Sequence, residues 1–89
     1  MNLLTVRVVS PRGDLLNVQA RSVSSKNSSG KFDILPEHAN FVTLVENQPI
    51  RVRDKDEKEK TVQFKIAILH AYSNKVNIYT DIQEAQSIL

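Results

Sequence analysis

The stretch that decides the fold is "IRVRDKDEKEKTVQFKI", residues 50–66. In its first part Ile50 and Val52 alternate with Arg51 and Arg53. In its last part Val62, Phe64 and Ile66 alternate with Thr61, Gln63 and Lys65. Neighbouring side chains on a strand point to opposite faces, so each part reads as a strand with one buried and one wet face. Between them, residues 53–60 are eight consecutive charges, four basic and four acidic. The interleaved signs cancel, which rules out a phosphate-binding stripe. A solvated turn between two strands explains the run, and the whole stretch is predicted to be a β-hairpin.

The same pattern extends outward from this hairpin. "LLTVRVV" runs into "SPRGD", a Pro-Arg-Gly turn, and "KVNIYT" alternates again through Val76 and Ile78. No window shows helical periodicity until the final "DIQEAQSIL". The expected fold is all-β, an antiparallel two-sheet β-sandwich of about ten short strands. With 89 residues the chain is one domain, taken as residues 1–82 with a short tail at 83–89. It contains no cysteine, so packing alone must stabilise it.

Several functions are excluded by residue type. The net charge of +2 is too small to argue for nucleic acid. The opening "MNLLTVRVVS" has neither a basic leader nor a long apolar run, so the chain is expected to be intracellular and soluble. His38 and His70 are its only histidines, too few to build a metal site without cysteine. Two glycines cannot make a phosphate-cradling loop, and no serine sits in a nucleophile elbow. The expectation is therefore no catalysis, no cofactor and no metal. "RGD" at 12–14 reads as a tight turn rather than an adhesion signal, and "NSS" at 27–29 as loop punctuation.

Three places break clean alternation: Leu15-Leu16, the run "IAIL" at 66–69, and "FVTLV" at 41–45. Bulges or crossing strands would explain them, and so would an outer face covered by another protein. The third lies within "GKFDILPEHANFVTLV", residues 30–45, which places His38 in a loop opened by Pro36. That histidine could satisfy loop carbonyls or lie at a subunit surface, where its two ring nitrogens would hydrogen-bond.

Residues 30–45 resemble the signature region of the epsilon subunits of F-type ATP synthases, called delta in mitochondria. Gly30, Phe32, Ile34, Leu35, Pro36, His38, Ala39, Val42 and Thr43 fall into that family's pattern G-x-F-x-[IVL]-L-P-x-H-A-x-x-V-T-x-L. "VRVVSPRGDLL" resembles its opening strand and turn, "IRVRDKDEKEK" its hairpin, and "NKVNIYTD" its closing strand, so the likeness runs in order from about residue 5 to 81. The resemblance implies a ten-stranded, two-sheet sandwich at the foot of the rotor stalk. It would be a monomer when isolated and would not bind nucleic acid. It would link the gamma subunit to the c-ring during ion-driven ATP synthesis. It would reach the membrane only through the complex, at the cytoplasmic face of the bacterial inner membrane.

In family terms, Ser10, Leu15, Leu16, His38, Ala39, Asn40 and Thr43 would contact gamma, and Ser28, Ser29, Gly30 and Lys31 the loops of the c-ring. Lys31 stands where many members carry an acid, so the charge pairing at the ring would differ; Lys65-Ile66-Ala67 replaces a Ser-Gly-Gly, so the approach to gamma there would differ as well. The family's two C-terminal helices, with their inhibitory role, are not in this sequence, which implies a short or truncated form. The competing reading is a free-standing β-sandwich adaptor that binds a peptide or protein with its exposed apolar face.

Overall fold

The alternating segments become nine strands among residues 2–37, 40–80 and 85–88, which the computed structural model describes. They are β1 (Leu4–Ser10), β2 (Gly13–Asn27), β3 (Gly30–Ile34), β4 (Phe41–Val45), β5 (Pro49–Asp54), β6 (Glu59–Phe64), β7 (Ala67–Tyr72), β8 (Lys75–Thr80) and β9 (Ala85–Ile88). Hydrogen bonds join them in the order β4-β7-β8-β1-β2-β5-β6-β9, and β3 pairs with β2 beside that path. Where two separate sheets were expected, pairing runs unbroken through the 15-residue β2. The N-terminal part of β2 pairs with β1 as far as Ala20↔Leu4. Its C-terminal part pairs with β5 and with β3. The sheet thereby curls on itself as a sandwich does. One pairing departs from the expected antiparallel rule: β1 and β8 run parallel, from Thr5↔Lys75 to Val9↔Tyr79.

The expected inward residues meet in one core. Ile50, Val52, Val62, Phe64, Val76 and Ile78 are all buried there, with Val6, Val8, Val23 and Leu69. Phe32 and Phe41 close the side where β3 and β4 approach, with ring centroids 5.4 Å apart. Ile66 does not follow the pattern. β6 ends at Phe64, the chain bends at Lys65 and Ile66, and the side chain of Ile66 is left exposed. Alternation carries a side chain inward only while the strand continues.

Turn chemistry fixes the reversals. Gly13 and Gly30 follow the turns after β1 and β2 with φ of 120° and 124°, a conformation that side chains rarely adopt. Ser73 and Asn74 both have positive φ between β7 and β8. That is the pattern of a type I′ hairpin, whose twist matches the flanking strands. The charged run forms the predicted hairpin, and Asp54 anchors it. The carboxylate of Asp54 accepts the backbone N–H groups of Asp56 at 2.9 Å and Lys58 at 3.0 Å. The Lys58 amide above all holds this carboxyl below the usual carboxylate range, against the opposing effect of burial.

Two outcomes are expected. Phe64→Ala should cost about 3–5 kcal/mol in urea denaturation, because it leaves a large void in a core with no disulfide to compensate. Asp54→Ala should lower the melting temperature at neutral pH. A depressed folded pKa gives stability that is complete above the ordinary carboxylate range and is lost as pH falls through the lowered value. The gap between Asp54→Ala and the parent should therefore close as pH falls below the ordinary carboxylate range in thermal melts.

Candidate interaction surfaces

The outer face of β4, β7 and β8 carries apolar side chains where water would favour polar ones. Leu44, Ile68 and Tyr79 lie in register across the three strands. Val42, on the same face of β4, is 64% exposed and Ile68 is 46% exposed; Ile66 adds to this surface from the bend before β7. Such a contiguous patch on a small domain makes this face a candidate interaction surface. "FVTLV" and "IAIL" break alternation for this reason: their inner members Val45, Ala67 and Leu69 fill the core while their outer members form the patch. Leu15-Leu16 has the other explanation. Val8 pairs with Leu16 and Val9 with Asp14, so Leu15 is the extra residue of a β-bulge. Both leucines are half-buried against the core.

A polar and aromatic flank borders the patch. Asn77 on β8 is paired in register with His70 on β7 and with Arg7 on β1. It is only 7% exposed, although its neighbours Val76 and Ile78 already fill the inner face. Its amide donates to the hydroxyls of Tyr72 at 3.3 Å and Tyr79 at 3.1 Å, and these tyrosines cover it. The ring of His70 lies 4.5 Å from that of Tyr72. Arg7 makes a two-pronged bond to Asp14, at 3.0 and 2.9 Å, which holds the Asp14 carboxyl below its usual range. An apolar centre with tyrosine, histidine and arginine at its margin has the anatomy of a protein interface.

The residues expected to contact gamma do not form one cluster. Ser10 is 7% exposed, and its hydroxyl is engaged in the β1–β2 turn: it donates to the Gly13 carbonyl at 2.9 Å and accepts from the Arg12 amide at 3.2 Å. By register, Ser10 lies at one end of this sheet, and the exposed Asn40, just before β4, at the other. Thr43 points to the inner side of β4 and accepts a hydrogen bond from the Asn27 amide at 2.9 Å. His38 and Ala39 lie outside the described residues.

The residues expected to contact the c-ring are contiguous. Ser28 and Ser29 are exposed, with the Ser29 amide donating to Asn27 Oδ1 at 2.8 Å, and Gly30 and Lys31 open β3. A depression of about 210 Å³ joins Asn27 and Ser28 to Leu44, so this loop adjoins the apolar patch. The sequence did not single out His70, Tyr72, Asn77 and Tyr79 as site residues; Asn77 between two core residues was the available signal. Among the described residues no group of histidine, cysteine and acidic side chains could hold a metal, and no helix is long and apolar enough to cross a membrane.

Comparison with known proteins gives this geometry a family context. The family described as "ATP synthase, Delta/Epsilon chain, beta-sandwich domain" matches residues 3–86. An ATP synthase epsilon chain of Campylobacter concisus is 31% identical over 81 residues, covering 91% of this chain and 63% of that relative. That of Helicobacter pylori strain 26695 is 32% identical over 82 residues, covering 92% and 63%. The chain thus spans about three-fifths of the length of these curated relatives. Its fold is similar to a chain in the Euglena gracilis mitochondrial ATP synthase structure containing OSCP, F1 and c-ring. There the TM-score is 0.82 at 13% identity, covering 90% of this chain and 51% of that one. A chain in the central stalk and c-ring structure from Tetrahymena thermophila gives 0.71 at 12% identity, covering 97% and 65%.

Adjacent residues of β7 provide a direct check on the patch. Ile68→Thr, on the outer face, should change stability by less than about 1 kcal/mol in chemical denaturation. Leu69→Ala, one position along and buried, should cost about 2–5 kcal/mol. Equal losses at the two sites would mean that the patch is part of the core.

Proposed function

Since this chain belongs to the ATP synthase delta/epsilon family, we propose that it is a non-catalytic subunit of the rotor stalk, linking gamma to the c-ring. The observation that carries the reading is the exposed apolar patch of Val42, Leu44, Ile66, Ile68 and Tyr79. A small domain with no disulfide and one modest core gains nothing by exposing these side chains unless a partner covers them. Gamma covers this face in the proposed assembly. The Ser10 turn, with the half-buried Leu15 and Leu16, lies toward one end of the contact and Asn40 toward the other; Thr43, on the inner side of β4, would meet gamma only at that strand's edge.

The loop Ser28-Ser29-Gly30-Lys31 faces the ring. Because it adjoins Leu44 through the depression beside Asn27, one rigid body can touch both partners without rearrangement. The role is mechanical and uses no cofactor. The chain sits peripherally at the cytoplasmic face of the bacterial inner membrane, held there by the complex. The adaptor reading draws on the same patch and has no separate observation in its favour.

The test is recovery from detergent-solubilised host membranes, read by mass spectrometry. The intact chain should bring down gamma, ring, alpha and beta subunits; recovery of unrelated soluble proteins alone would sink the rotor reading. Ile68→Glu and Leu44→Glu should each weaken association with purified gamma by tenfold or more, with the melting temperature nearly unchanged, because a carboxylate would be buried at the interface. Lys31→Glu should alter association with the ring at low salt and lose that difference at high salt, since exposed charges are screened.

A further inference from the structure

A cationic furrow crosses the molecule on β3, the C-terminal part of β2, and β5. Its deeper part is a cleft of about 440 Å³ whose lining includes Ser24, Lys26, Lys31, Asp33 and Arg51. A second hollow of about 250 Å³ continues from Ser24 and Arg51 past Ser22 to Arg53 and Glu59. Register places these residues together: Lys26 pairs with Lys31, and Ser24 pairs with Asp33 on one side and Arg51 on the other. Lys26, Lys31 and Arg51 are exposed and make no ion pair among the described residues. The one carboxylate in the cleft, Asp33, is engaged by the Ser24 hydroxyl at 2.5 Å. Three cations against one carboxylate is an excess as large as the net charge of +2 of the entire chain. The other charge-rich segment, 53–60, is balanced, and its Glu57 pairs with Arg53 and with Arg21 of β2.

We propose that this furrow binds the phosphate groups of anionic phospholipids, drawing the ring-side end of the protein to the membrane surface. The proposal rests on the placement of Ser28–Lys31 against the ring, because Lys31 belongs to both that loop and the furrow and would stand close to the bilayer. The lining favours a phosphate surface over a protein partner. Protein contacts depend on buried aromatic or aliphatic anchors, and the exposed large apolar side chains lie on β4, β7 and the bend before it, and β8, apart from Leu35 just after β3, which lines neither hollow. Two lysines and an arginine spread over three strands suit a diffuse anionic surface, which attracts basic residues additively and within a Debye length. Such attraction has no angular register, so it is compatible with rotation of the stalk.

The experiment is flotation of the full chain with vesicles of phosphatidylcholine alone or containing phosphatidylglycerol. Binding should appear only with phosphatidylglycerol and fall steeply with added salt. Lys26→Gln and Arg51→Gln, checked for unchanged melting temperature, should each weaken it roughly fivefold. Lys58→Gln, which removes the same charge from the balanced hairpin, should leave it nearly unchanged. Equal flotation with both vesicle types overturns the proposal, as does equal weakening by furrow and hairpin variants. Saturable binding of inorganic phosphate at constant ionic strength, without vesicle binding, assigns the furrow to a free anion and also overturns it. Variants that float normally but fail to recover the ring would give the furrow to a protein partner, with the same consequence. Loss of flotation with gamma and ring recovery intact supports the proposal. Absence of flotation by the parent chain with recovery intact rejects the lipid site and leaves the rotor reading standing.

Discussion

The structure depends on one strand serving both halves of the sandwich. β2 leaves β1 and joins β5 at Ala20, which pairs with Leu4 on one side and Asp54 on the other and has no solvent exposure. A side chain larger than a methyl would have to displace core atoms there. The next residue, Arg21, is skipped in the register with β5, since Ala20 pairs with Asp54 and Ser22 with Arg53. A bulge of this kind bends and twists a strand, which is what a sheet needs in order to curl over its own core. Arg21 uses its outward position to brace the corner. It donates to the Lys55 carbonyl and pairs with Glu57, tying the bend in β2 to the tip of the charged hairpin.

Closing the sheet through β2 determines which surfaces remain for partners. Each of β1 to β8 turns one face to the shared core, so function must be written on the outer faces, edges and turns. The outer face of β4, β7 and β8 is apolar; the face of β3, β2 and β5 is cationic. The loop at 27–30 lies between them, next to Leu44 through one depression and next to Lys31 in sequence. Since one hydrogen-bonded sheet runs from β4 through β1 and β2 to β5, with β3 paired to β2, the two surfaces are tied to a single framework. In the proposed role, that framework suits a subunit that must pass force between two partners instead of responding to a ligand.

Much of this was legible in the sequence, because a period of two is a local signal. Ile50, Val52, Val62, Phe64, Val76 and Ile78 are buried as alternation demands, and the charged run forms the hairpin end, although only 55–58 turn while 53–54 and 59–60 belong to β5 and β6. Pairing between remote strands is not local. The parallel contact of β1 with β8 joins segments near opposite ends of the chain, and nothing in either strand alone announces it. Ile66 was misplaced because alternation gives no sign of where a strand stops. Leu15-Leu16 could be read either way, since a bulge and a covered surface leave the same two adjacent apolar residues.

Site residues were harder to read than core residues, for a physical reason. A core position is set by its own strand, whereas an interface position depends on which strands become neighbours. Val42, Leu44, Ile68 and Tyr79 come from three segments, and only their alignment across β4, β7 and β8 makes them one surface. Asn77 shows the same dependence from the other side. It is a polar residue on an outer face, yet it is buried because Tyr72 and Tyr79 extend over it and accept its hydrogen bonds. Had alternation alone governed exposure, Asn77 would be wet and Tyr79 free to move. Their mutual bonds instead fix the tyrosines at the margin of the apolar patch, where restrained aromatic side chains lose little further freedom when a partner arrives.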